Sequence, residues 1–316
     1  MTNPADPKTS PVRDYLALTK PGIVRMCLIM TAGGLWLAPA STPGASGWIG
    51  WSGWSGWIMW AAALIGSGLA VASANAFNMI AEREGDRSMA RTRNRPLAAG
   101  RLSVRGATWF ASGLGVASML VLGLGTNLLT AGLAAFALLS YWLVYTPLKR
   151  KTPLALVIGA VPGAVPPVLG WTAVTGSLDL PGAVLFGILL VWQMPHFLAI
   201  SIFRKQDYAD AGIRVVPVVR GETVAKVQAI LWAALLIPVS LALTPLGVTS
   251  EVYMVIAGAA GLVYLGFAIK GLTTHEHSAE LRWARQLFGF SLIYLPVVTL
   301  ALVVDLLWFS ASSGGL

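Results

Sequence analysis

Apolar residues run along this chain in repeated blocks of roughly 18 to 25, each long enough to cross about 30 Å of hydrocarbon at 1.5 Å per helical residue. The blocks cover 21–39, 56–80, 106–124, 127–146, 154–173, 181–203, 224–245, 250–270 and 286–306, with polar, Gly- or Pro-bearing stretches between them. The pattern predicts an all-α, polytopic membrane protein, a bundle of about nine transmembrane helices. Gly and Pro inside the blocks are compatible with this, because packed membrane helices re-satisfy the backbone groups such residues free. Residues 1–20 are polar and lack the apolar core and cleavage site of a signal peptide, so they read as a cytoplasmic polar tail ahead of one transmembrane domain over 21–310.

Composition agrees: 56% of the 316 residues are hydrophobic and only 11% charged, far from the balance of a water-soluble domain. Cys27 is the one cysteine, which excludes an intramolecular disulfide and a cysteine metal site. A net charge of +9 would suggest a nucleic-acid partner in a soluble protein, but its placement argues for none. The cations stand before or within the start of the first block (Lys8, Arg13, Lys20, Arg25), between blocks two and three (Arg83 to Arg105) and between four and five (Lys149, Arg150, Lys151). The remainder lie between six and seven (Arg204 to Lys226) and between eight and nine (Lys270, Arg282, Arg285), and the alternate connections hold no Lys or Arg. The positive-inside rule then puts the N-terminus in the cytoplasm and the C-terminus across the membrane.

Acidic residues share that basic face in two places. If the second helix continues past residue 80, Asn78, Glu82 and Asp86 fall within a sector of about 80°. A stripe of hard oxygen ligands at a membrane boundary suits Mg²⁺, which takes a few carboxylates and leaves positions for water and phosphate. Arg91 and Arg95 follow at i, i+4, and guanidinium groups match phosphate oxygens. Gly85 weakens the last turn, and a solvated, salt-bridged helix end is the bland alternative. The sixth block runs into Lys205, Asp207 and Asp210, the two aspartates neighbours at i, i+3. Tyr145 and Lys149 close the fourth block, with Pro147 disturbing the turn between them.

His196, after Pro195 inside the sixth block, is costly in hydrocarbon unless paired and stands equally as a functional or a structural histidine. His275 and His277 read as solvated, and the tryptophans from Trp48 to Trp60 as an aromatic belt at the far interface. The Gly and Pro residues of 159–167 allow a broken helix or close helix approach.

Asn78-x-x-x-Glu82-x-x-x-Asp86 resembles the first aspartate-rich motif of the UbiA-type intramembrane prenyltransferases, and Tyr145-x-x-x-Lys149 their tyrosine–lysine signature. Met89 to Leu97, Thr152-Pro, Pro167 to Gly176, Pro195-His-Phe197 and Asp207 to Ile213, in this order, resemble the protohaem IX farnesyltransferase (haem O synthase) branch. The resemblance covers nearly the whole chain, so 21–310 is expected to be one prenyltransferase domain. Departures are Glu82 for a common Asp, Arg214 for a Pro, Gln193-Met194 for a commoner Thr-Pro, and Asp210 at a position that varies.

The resemblance implies an Mg²⁺-dependent transferase that moves a farnesyl group from farnesyl diphosphate to a vinyl group of haem B, a substrate rather than a resident cofactor. It implies Mg²⁺ on Asn78, Glu82, Asp86 and Asp207, with Asp210 as a further candidate ligand. Arg91, Arg95, Lys149 and Lys205 would bind diphosphate, Tyr145 would face the allylic cation or phosphate, and His196 would orient haem. The expected setting is the cell inner (cytoplasmic) membrane, with the active site on the cytoplasmic side and a downstream haem A synthase as a product-accepting partner. Two alternatives stay open: the same chemistry on another aromatic or tetrapyrrole acceptor, and an anion transporter. A transporter would place polar groups at the midplane of broken helices, whereas here they gather at one interface.

Overall fold

The computed structural model describes residues 10–38, 54–89, 92–274 and 276–313. Arg91, Trp48, Trp51 and His275 therefore lie outside the described residues. Every regular element among the described residues is helical: α1 (Pro11–Thr19), α2 (Pro21–Leu37), α3 (Trp54–Ser88), α4 (Val104–Gly125), α5 (Leu128–Leu139), α6 (Thr146–Leu148) and α7 (Ala155–Gly163). They continue as α8 (Val165–Thr175), α9 (Leu180–Phe203), α10 (Lys205–Asp210), α11 (Val216–Val219), α12 (Glu222–Leu241), α13 (Glu251–Ile269) and α14 (His277–Ser313). Among the described residues eight stretches are long and apolar enough to cross a membrane, and α1 with α2, bent by 47°, makes a ninth if the pair is one span.

The expected polar tail is partly a folded element. Ser10 caps α1 by accepting from the Arg13 amide, and Leu18 is fully buried in a cluster with Ala76, Ala107 and Ala111. Asp14, itself buried, takes Arg101 at 3.0 Å from the loop before α4. Lys20 adopts a left-handed φ of 51° between the two helices, a conformation that turns the chain where Pro21 disfavours continued α geometry.

Small residues bring the spans together. Ser73 and Ser118 donate to the Ala111 and Gly66 carbonyls at 2.7 Å, tying α3 to α4. Between α2 and α8, a Cβ at Gly34 or Gly170 would strike the facing backbone, so only glycine permits this approach. At the opposite end of the bundle from the arginine-rich loops, the buried Asp305 carboxylate accepts from the Ser250 amide at 2.7 Å, the Tyr253 amide at 3.2 Å and the Ser250 hydroxyl. A carboxylate from α14 thus caps α13.

Two further spans depart from regular α geometry near proline. Between α5 and α6, residues Ser140–Tyr145 form a π-helical turn in which the Thr146 amide donates to the Tyr141 carbonyl. Pro147 has no N–H for the preceding turn, and the wider turn re-pairs the backbone around it. The fifth block breaks at Ala164, between Pro162 and the Pro166-Pro167 start of α8. Gln193 of α9 fills the gap, donating to the Ala160 carbonyl at 3.3 Å and to the Leu189 carbonyl at 2.9 Å.

Candidate active site at the end of the longest internal helix

Helix α3 passes the end of its apolar block and stays helical through Gly85, so Asn78, Glu82 and Asp86 do form one stripe. A Cβ at 85 would meet only the end of the flexible Arg150 side chain, which packs over this turn. Asn78 and Asp86 are buried. The Asn78 amide donates to Glu82 at 3.0 Å, and the Thr146 hydroxyl lies 3.2 Å from its Oδ1. Arg95 donates to both Asp86 oxygens, at 2.9 and 2.8 Å, and stands 3.7 Å from Glu82. Lys149 ion-pairs with the other Glu82 oxygen. The Thr92 hydroxyl donates to the Asp86 carbonyl at 3.0 Å, holding the loop that carries Arg95 against the helix end.

The π turn sets the second wall. Tyr145 packs where Gly159 leaves room, and the Lys149 ammonium sits 5.7 Å from the centre of its ring. Burial pushes the Lys149 ammonium down to about 7, with repulsion from Lys20 and Arg150 adding to the shift. Its carbonyl accepts the Arg214 amide at 3.1 Å, which fastens the segment after α10 to this cluster.

Asp207 lies across a cavity of about 310 Å³ that it lines with Met89, Phe203, Arg204, Tyr208 and Phe288 among others. Met89, three residues past Asp86, lines the same cavity, so the segment after α3 and α10 border it together. Asp207 pairs with Arg204 at 3.2 Å, and both are half exposed. Lys205 and Asp210 point elsewhere: Lys205 pairs with Glu222 at 2.8 Å, and Asp210 accepts from Gln206 at 2.8 Å.

His196 is held by three aromatic rings, Trp192, Phe197 and Phe288, at 4.9 to 5.3 Å, and Phe288 also lines the cavity. Its Nδ1 lies 2.7 Å from the Ser291 hydroxyl, which itself donates to the Phe288 carbonyl. That leaves the serine oxygen to accept, so Nδ1 carries the proton and Nε2 the lone pair. Sequence reasoning missed Ser291, Thr146, Thr92 and Gln193. Thr146 had a signal, lying between Tyr145 and Lys149, but a lone serine in an apolar block has none.

Among the described residues no group of three or more His, Cys, Asp and Glu side chains is close enough to hold a metal. The donor chemistry of the stripe nonetheless fits a hard divalent cation: two carboxylates and an amide oxygen on one helical face, with Arg95 and Lys149 as the cations that neutralise Asp86 and Glu82 here.

The chain belongs to the UbiA prenyltransferase family, whose pattern it matches over residues 27–310. It is a prenyltransferase and an integral membrane protein. Among its curated relatives are protohaem IX farnesyltransferases. That of Myxococcus xanthus is 42% identical over 92% of this chain and 94% of its own, and that of Sorangium cellulosum is 48% identical over 77% and 86%. The fold is that of a solved digeranylgeranylglyceryl phosphate synthase (TM-score 0.74, 18% identity, 93% of this chain and 98% of that one). A UbiA homologue from Archaeoglobus fulgidus, solved with GPP and Mg²⁺, also shares it (TM-score 0.62, 15% identity, 92% and 99%).

Proposed function

We propose that this chain transfers a farnesyl group from farnesyl diphosphate to a vinyl group of haem B, giving haem O. The observation that carries the reading is the convergence of Asn78, Glu82 and Asp86 with Arg95 and Lys149 at the end of α3, beside the cavity that Asp207 and Phe288 line. The relatives named above carry the same activity in their names, which supports the choice of acceptor.

Asn78, Glu82, Asp86 and Asp207 would hold Mg²⁺, with Asp210 at the margin; when bound, the ion supplies positive charge to the diphosphate oxygens. Arg95 and Lys149 stabilise the charge that grows on diphosphate as the allylic C–O bond breaks, and Arg91 and Lys205 are assigned to the same task. Lys205 must leave Glu222 to do so. The farnesyl cation is attacked by the vinyl carbon pair, forming the new C–C bond. Water adds to the resulting cation beside the porphyrin and loses a proton, giving the hydroxyethylfarnesyl group. Tyr145 offers the first cation a ring face next to Lys149, and the surrounding apolar walls exclude bulk water. His196 orients haem through Nε2.

The site would face the cytoplasm, by the one-sided Lys and Arg distribution, in the inner membrane, and its product would pass to a haem A synthase. Incubating purified protein with haem B, farnesyl diphosphate and Mg²⁺ should yield farnesylated haem by mass spectrometry. Product only with a quinone-precursor ring or chlorophyllide in place of haem would assign the acceptor differently. Absence of any prenyl transfer would remove the proposal.

A further inference from the structure

A second cavity of about 310 Å³, separate from the one beside Asp207, opens between α7, α9 and α12. Along α12 the lining residues run from polar to apolar. Arg220, just before α12, lines it; Gln228 follows two turns into the helix, then Leu231, Trp232 and Leu235, with the buried Met194 of α9 on the facing wall. From Gln228 to Leu235 the helix descends about 10 Å at 1.5 Å per residue. Leu154, Leu231 and Leu235 on the rim are exposed at 59%, 63% and 44%, so the crevice opens sideways to the bilayer rather than to water.

Neither the Arg220 guanidinium nor the Gln228 amide has a side-chain partner among the described residues. A cation and then an amide donor above an apolar slot repeat the order of phosphate, ester and acyl chain in a membrane lipid. We infer that this crevice is a binding site for an anionic glycerophospholipid. Arg220 pairs with the phosphate region, Gln228 donates to an ester carbonyl, and one acyl chain lies against Leu231, Trp232, Leu235 and Leu154. None of these residues belongs to the proposed catalytic cluster, so the site stands apart from the transfer chemistry.

The test is native mass spectrometry of the full chain in detergent with equimolar phosphatidylglycerol and phosphatidylcholine of matched acyl chains. The wild type should retain phosphatidylglycerol about fivefold over phosphatidylcholine, the effect of one basic residue at an anionic surface. Arg220→Gln should bring the ratio to parity, Arg220→Lys should keep it, and Gln228→Leu should lower retention of both lipids. Equal retention by the wild type, or an unchanged preference in Arg220→Gln, would overturn the assignment. The wild-type ratio decides the matter even if a variant fails to fold. Release of bound phosphatidylglycerol by stoichiometric haem would assign the crevice to the porphyrin and its propionates instead, also against the inference.

Discussion

Asp86→Asn is the sharpest test of the catalytic assignment, because it keeps size and shape while removing one charge. Asp86 is 1% exposed and both its oxygens accept from Arg95, at 2.9 and 2.8 Å. The amide offers Arg95 one acceptor in place of two and turns a donor toward a donor. A hydrogen bond to a charged partner contributes about 1.5–3 kcal/mol, so the loss of one sets the scale of destabilisation. Arg95 is partly open to solvent and 3.7 Å from Glu82, which places the cost nearer about 2 kcal/mol than the larger losses seen when a sealed ion pair is broken. The catalytic effect should be larger. A carboxylate that gathers positive charge around the leaving diphosphate acts in the transition state, and its loss should lower turnover about 100- to 1,000-fold. Farnesylated haem is measured across an Mg²⁺ titration, alongside thermal unfolding of the same sample. A variant that melts a few degrees lower yet turns over like the parent at saturating Mg²⁺ would refute the placement of Asp86 in the metal site.

Other outcomes follow from the same geometry. Ser291→Ala should free the His196 ring to change tautomer and weaken haem binding, read as an altered Soret band, with Ser291→Thr restoring it; an unchanged spectrum in Ser291→Ala would exclude Ser291 as the group that positions His196. Lys149, held down to about 7 in the free protein, is largely neutral above that pH and charged below it. Diphosphate favours the charged form, so at pH 8.5 binding should take up a proton and affinity should fall as pH rises through 7. Calorimetry in buffers of different ionisation enthalpy detects the uptake, and Lys149→Met should abolish it. Asp305→Ala should leave the first turn of α13 with only the Ser250 hydroxyl as its cap, costing about 2 kcal/mol and lowering the melting midpoint by several degrees without changing the KM for farnesyl diphosphate.

The amino-acid sequence alone determined the class of architecture, because crossing hydrocarbon requires long apolar helices and nothing folded later can change the length of those blocks. It also determined which residues could meet along one helix: Asn78, Glu82 and Asp86 share a face through the helical repeat, a local property that needs only the helix to continue past Gly85. Contacts between segments were not legible in this way. That Lys149 should meet Glu82 across 67 positions, that Ser291 should hold His196, and that Asp305 should cap α13 depend on which helices lie side by side. No local periodicity encodes those neighbours. The packing of the polar N-terminal segment was not legible for the same reason: Leu18 and Asp14 look unremarkable until α3 and Arg101 supply the surface and the charge that fold α1 against them. Tertiary structure likewise divided the candidate cations. Arg95 and Lys149 stand on the carboxylates of α3, whereas Lys205 is drawn to Glu222 at the start of α12, with α11 between the two helices.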